Sequence, residues 1–417
     1  MLDRLFRQTD VPRSYRATFL HLYFDIGWFG VLSGSAVSFL TIYAARLGAS
    51  ALQIGLIAAS SAAVNLLIAI PSGRWLERRD TRRAVFGASV FYRLGYALWI
   101  PLPWLFDAQG QIWALIVLSF LMAIPLAPLG VGFNALFAEA VPERYRAFVA
   151  GNRNVLFAFA YMASSLVCGY LLEAVAFPGG YQIVFAIGFF GAAMSSLHLY
   201  FIRPQREDAL PHPSALAADS PSPASSARGL ASVMRLDVLR GPFRKVLILL
   251  FFFHFSHYIC TPLYPLYNVN VLNLSDDHIG IGTALFYLTV LIGSVQLHRI
   301  VNHLGHRRVT GWGVVGMALY PALLAFSRTV WHYYAVSLIG GFTWALAGGA
   351  YANYILERIP PADRPSHLAW YNVALNAAIL AASFFGTALG NWTGLATALF
   401  LSGLLRLLAG IMILKRE

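Results

Sequence analysis

The chain has 417 residues, of which 58% are hydrophobic, 14% aromatic and only 12% charged, and its mean hydropathy is +0.64. A water-soluble fold carries roughly twice that share of charge, so a soluble enzyme or binding domain is excluded and most of the chain has lipid or other helices around it. The net charge of +12 is confined almost entirely to gaps between apolar runs, which marks topology and not a nucleic-acid partner.

Residues 1–16 carry four arginines, and the apolar run after them is too long for a signal-peptide core, so no cleaved leader is expected. Apolar runs follow at 17–45, 51–72, 84–105, 111–137, 154–173 and 181–202, then at 246–269, 278–298, 309–326, 331–355, 368–389 and 393–414. Each is long enough to cross a bilayer, and a backbone that must satisfy itself in lipid makes them helices. Residues 203–240 break the pattern with a stretch rich in Pro, Ala and Ser that reads as a flexible cytoplasmic linker. The expectation is an all-α membrane protein of twelve transmembrane helices in two six-helix bundles, residues 1–202 and 241–417.

The basic residues orient it. The N-terminus, the even-numbered gaps and the C-terminus hold 26 of the 30 Lys and Arg residues, which places both termini in the cytoplasm. The outer gaps hold only Arg46 and Arg328, and Arg93 and Arg406 lie within spans 3 and 12. Snorkelling or structural pairing is the expectation for those last two. Cys168 and Cys260 fall inside apolar runs and suggest neither a disulfide framework nor a metal site.

The halves also echo each other. Leu47-x-x-Ser50-x-x-x-Ile54-Gly55 returns as Leu272-x-x-Ser275-x-x-x-Ile279-Gly280, an offset of 225 that also aligns Arg82-Arg83 with Arg307-Arg308. Gly130, Glu139, Pro142, Arg146 and Asn154 return as Gly348, Glu357, Pro360, Arg364 and Asn372, at an offset of 218. Both copies of each motif sit on the same side, so the halves are parallel repeats.

On these motifs the chain resembles a major facilitator superfamily permease over nearly its whole length, the linker and tails excepted. That family carries G-x-x-x-[DE]-R-x-G-[RK]-[RK] between spans 2 and 3. This sequence has Gly73, Glu77, Arg78 and then Arg82-Arg83, with Asp80 in place of the second glycine. The resemblance implies a cytoplasmic charge network clamping the two bundles, built here from Gly73, Glu77, Arg78, Arg82, Glu139, Arg146, Glu357 and Arg364. Glu-x-x-Pro-x-x-x-Arg also resembles the sugar-porter branch, but that branch's Gln-Leu-Ser in span 7 is missing, so the element reads as general gating machinery. The drug-antiporter Gly-Pro motif of span 5 is absent too.

Ionisable groups inside a membrane are costly and usually functional. Asp25 in span 1, which lines the path in the family, is the candidate to take up and release a proton, with His21 one helical turn away as its partner. The bland alternatives are a solvated carboxylate close to the cytoplasmic mouth or a static ion pair with Arg93. His254 and His257 share a face of span 7 and are candidates for substrate binding or proton relay, against ordinary packing. Trp28 and Trp344 belong to aromatic-rich spans suited to an amphipathic or aromatic solute, and Asn353, Asn372 and Asn376 are polar groups open to a substrate.

No nucleotide-binding signature, catalytic constellation or cofactor motif occurs, so the chain is not read as an enzyme and no cofactor is expected. The expected partners are the lipid bilayer, a small-molecule substrate and protons, without nucleic acid, for a monomer in a prokaryotic cytoplasmic (inner) membrane. The expected function is secondary active transport of a small organic solute by alternating access. The alternative is a non-transporting protein on the same scaffold that assists assembly or carries lipid or pigment.

Overall fold

The computed structural model describes residues 11–77, 79–203, 238–239, 241, 243–359 and 364–415. Most of the linker expected at 203–240 lies outside the described residues. Among those described there are helices and connecting turns and no strand, as a backbone in lipid requires.

The N-terminal half runs through α1 (Arg13–Leu32), α2 (Ser38–Arg46), α3 (Ala51–Glu77), α4 (Thr81–Ala97), α5 (Leu102–Leu105), α6 (Ala108–Ala140), α7 (Glu143–Ala174) and α8 (Gly179–Phe201). The C-terminal half runs through α9 (Phe243–Tyr258), α10 (Leu263–Leu266), α11 (Asp276–Leu324), α12 (Val330–Glu357), α13 (Arg364–Thr393) and α14 (Leu395–Lys415). Wider π-helical turns occupy corresponding places, Ser33–Val37 between α1 and α2 and Tyr267–Val271 after α10.

Loop chemistry sets where the helices begin and turn. Asp80 and Asp107 cap α4 and α6, accepting from the backbone N–H of Arg83 at 2.9 Å and of Gly110 at 2.8 Å. Gly48, with φ of +85°, turns the chain between α2 and α3. Gly305, at φ 77° and ψ 158°, interrupts α11, so this 49-residue element comprises two helical arms. That break falls where the sequence places the loop between spans 8 and 9.

Ten helices among the described residues are long and apolar enough to cross a membrane. α11 counts once among them despite its break, and α4, at 17 residues with Arg93 on its buried face, is not among them.

The packing of the halves is asymmetric. At one end, here the distal end, a single apolar core takes residues from both halves, including Leu40 and Tyr43, Cys168, and Leu263, Tyr267 and Ile279. There α7 packs along α11, and α3 along α13. Towards the opposite, terminal end each half has its own core, one around Val11, Tyr145 and Ile202 and the other around Phe243, Ile359 and Ile413.

Candidate functional site: a buried charge cluster, a cavity and a distal seal

Four helices of the N-terminal half converge on Asp25. Its Oδ2 accepts from both terminal nitrogens of Arg153 on α7 at 3.2 Å. Its Oδ1 accepts from the Ser195 hydroxyl on α8 at 2.5 Å, and lies 3.8 Å from the Arg93 guanidinium on α4. Asp25, Arg93 and Arg153 are 3%, 5% and 7% exposed. A carboxylate so enclosed is a fixed cross-brace among helices, and the Arg93 pairing considered from the sequence is part of it. The pairing expected with His21 is replaced by another: His21 Nδ1 meets His198 Nδ1 on α8 at 3.0 Å. A one-turn spacing brings two side chains to one side of a helix, but which neighbour each meets is set by the helices opposite.

The C-terminal half holds a neutral pair of its own. His254 on α9 meets the Tyr371 hydroxyl on α13 at 2.9 Å. Tyr371 lies 218 residues after Arg153, the same offset that relates the sequence motifs. Arg153 escaped notice because it precedes the apolar run at 154 and counts there as one more cytoplasmic charge. The shared offset was the available signal.

Between α2 and the C-terminal half lies a cavity of about 320 Å³. Thr41, His257, Tyr264, Tyr320, Trp344 and Arg406 are among its lining residues. Trp344 stacks on His257 with ring centroids 5.1 Å apart. These two thus meet in one cavity, whereas His254, Asn353, Asn376 and Trp28 are not among its lining residues. Trp28 sits edge-on to Phe190 at 5.4 Å, Asn376 donates to the Asn372 carbonyl at 2.8 Å, and Asn353 is exposed. Among the described residues no group of three His, Cys, Asp or Glu is placed to hold a metal ion.

The distal seam is closed by polar bonds between the halves. Arg46 donates from Nη2 to Asp276 Oδ1 at 3.0 Å and to the Leu274 carbonyl at 2.5 Å, while the Tyr181 hydroxyl donates to Asp276 Oδ2 at 2.8 Å. Beside them α7 and α11 touch closely enough for the Ser165 hydroxyl to donate to the Gly280 carbonyl at 3.0 Å. A Cβ on Gly280 would stand 2.6 Å from the Ser165 carbonyl oxygen, so only glycine fits there.

At the terminal end, the motif residues bond within their own halves. Glu139 accepts from the Thr81 hydroxyl at 3.0 Å, and Arg146 donates to the Val141 and Ala138 carbonyls at 3.0 and 2.9 Å. Arg82 holds the Tyr200 carbonyl, and Glu357 meets His306 Nδ1 at 2.6 Å. The clamp expected between the bundles is therefore not formed by these contacts, and the cross-half ion pair found among the described residues lies at the opposite end. Arg78 and the side chains of Gly73, Glu77 and Arg364 lie outside what is described.

The model of the Major Facilitator Superfamily matches residues 24–282 and 246–417. The chain is 23% identical over 286 residues to the cis,cis-muconate transport protein of Acinetobacter baylyi, covering 67% of this chain and 66% of that protein. It is 27% identical over 110 residues to the class B tetracycline resistance protein of Escherichia coli, covering 26% of this chain and 27% of that one. The matched region thus spans just under two thirds of the first relative and about a quarter of the second. Among solved structures, the nucleoside transporter NupG superposes with a TM-score of 0.66 at 12% identity, covering 96% of this chain and all of that one. A partially occluded inward-open conformation of the xylose transporter XylE from E. coli gives 0.69 at 16% identity, covering 96% of this chain and 98% of that one.

Proposed function

The chain belongs to the major facilitator superfamily, and on that premise we propose that it moves a small organic, amphipathic or aromatic solute across a prokaryotic cytoplasmic membrane by alternating access, drawing on the proton gradient. It is a multi-pass membrane transporter and not an enzyme. In this reading the chain crosses the membrane twelve times: α4 and the two arms of α11 each make a crossing. Both termini are cytoplasmic, so the distal end faces outward.

The observation that carries the proposal is the asymmetry of the join. The two halves share one core and a polar seal at the distal end, keep separate cores at the terminal end, and flank a cavity between α2 and the C-terminal half. Breaking the distal seal and closing the Glu139 and Arg146 element of one half against the Glu357 and Arg364 element of the other describes the second state of such a carrier. The muconate relative suggests an unsaturated organic acid as the first solute to try.

Thermal unfolding of the purified protein against sugars, organic anions, amino acids, lipophilic cations and lipids tests the reading. A true ligand at roughly 100 times its dissociation constant stabilises the fold by about 2.7 kcal/mol. A saturable shift with one solute class supports transport. Stabilisation by lipid or a co-purifying protein alone would transfer support to the scaffold alternative.

A further inference from the structure

We infer that the cavity beside α2 binds the carboxylate of an organic anion, with Arg406 as its charged anchor; this rests on the transporter reading and narrows its substrate class.

Arg406 on α14 is 2% exposed, yet every partner of its guanidinium is electrically neutral. Nη1 donates to the Met317 carbonyl at 3.0 Å, and Nη2 donates to the His257 carbonyl at 2.9 Å and the Ser256 carbonyl at 3.4 Å, with the Cys260 sulfur beside it. Among the described residues no carboxylate stands within 4.0 Å of it. The other two arginines buried among the described residues, Arg93 and Arg153, share Asp25. A cation inside a membrane protein without a counter-ion is costly, and such residues line substrate or ion pathways. Arg406 is the one charged side chain among the described residues lining this cavity.

Two further groups in the cavity wall are left with hydrogen-bonding capacity. Neither Arg406 Nε nor His257 Nδ1 has a partner, although both are buried. An arginine fork matches a carboxylate in shape and charge. Tyr264, Tyr320 and Trp344 supply flat aromatic walls, which suit an aromatic or conjugated carbon skeleton. A volume of about 320 Å³ sits at the low end for ligand sites and favours a small acid. The competing role for Arg406 is purely structural: the Ser256 and His257 carbonyls belong to the last turn of α9, where a cation is favourable in any case.

Titration calorimetry on the full-length protein in detergent separates these. The probes are two near-isosteric pairs, benzoate with benzamide and cis,cis-muconate with its diamide. At least one acid is expected to bind about tenfold or more tighter than its neutral counterpart, a difference of about 1.4 kcal/mol. Arg406→Gln should erase that preference, and Arg406→Lys should retain part of it. A preference that persists in folded Arg406→Gln assigns the residue to structure and overturns the proposal. Should the Arg406 variants fail to fold, Thr41→Trp, which fills the cavity from the other half, must abolish acid binding; persistence there overturns it equally. Binding of neutral or cationic solutes alone defeats the proposal and leaves the transporter reading standing. Binding of no solute at all defeats both.

Discussion

Removing the negative charge from the distal seal, by Asp276→Asn, should shift the conformational equilibrium towards a state open at that end. Asp276 gathers Arg46 and Tyr181 on its two oxygens, and the Arg46 and Asp276 side chains are 27% and 10% exposed. That burial lies between an exposed pair, where coupling is about 0.2–1 kcal/mol, and a charge-assisted hydrogen bond, at about 1.5–3 kcal/mol. We take roughly 1–2 kcal/mol, a five- to thirtyfold change in the ratio of the two states. Asparagine keeps an acceptor and nearly the same volume, so the change isolates charge. Spin labels at Ala108→Cys and Asn391→Cys, both exposed positions in the two halves, report the distal separation once Cys168 and Cys260 are replaced. The longer-distance population should grow by that factor in Asp276→Asn, to a similar extent in Arg46→Gln, and no further in the double variant. A distance distribution unchanged in either single variant would refute the reasoning.

Gly280→Ala should weaken the same seam by steric means, because its Cβ meets the Ser165 carbonyl oxygen at 2.6 Å; a loss of about 1–3 kcal/mol is expected in the closed state, read by the same label pair. Asp25→Asn leaves two buried guanidiniums without their counter-charge and should cost about 3–5 kcal/mol, measured as a fall in the unfolding midpoint. Asp25→Asn with Arg153→Gln should recover part of that loss. Glu139→Gln keeps an acceptor for the half-buried Thr81 hydroxyl and removes only the charge, so the unfolding free energy should stay within about 0.5 kcal/mol of wild type while solute flux falls. Equal loss of both would place Glu139 in the framework and not in the cycle.

The all-helical, membrane-spanning character was legible because hydropathy acts locally: each apolar run is written in a single segment. The break in α11 at Gly305 agrees with the gap drawn between spans 8 and 9. Pairings across the fold were not legible. Asp25 and Arg153 are 128 residues apart, and Arg46 and Asp276 are 230 apart, so no periodicity links them. Arg46 did leave a trace, as one of two cations on the side where the charge rule permits few. Arg406 was expected to snorkel or to pair structurally, and its burial against the Met317 and His257 carbonyls is set by neighbouring helices and not by its own segment. The terminal clamp was expected from retained acid–base pairs, but in the conformation described Glu139, Arg146 and Glu357 take partners within their own halves, which their spacing does not reveal.

The most direct test of alternating access joins the halves at the distal seam. Arg46→Cys and Asp276→Cys, in a background without the native cysteines, are bridged by a short thiol-reactive cross-linker in proteoliposomes carrying a pH gradient. Uptake is followed for benzoate, cis,cis-muconate, xylose, uridine and tetracycline. Before bridging, at least one solute should accumulate above equilibrium and lose that accumulation on adding a protonophore; after bridging, uptake should cease, and cleaving the linker should restore it. Full uptake through the bridged protein would contradict a carrier that must open at that end.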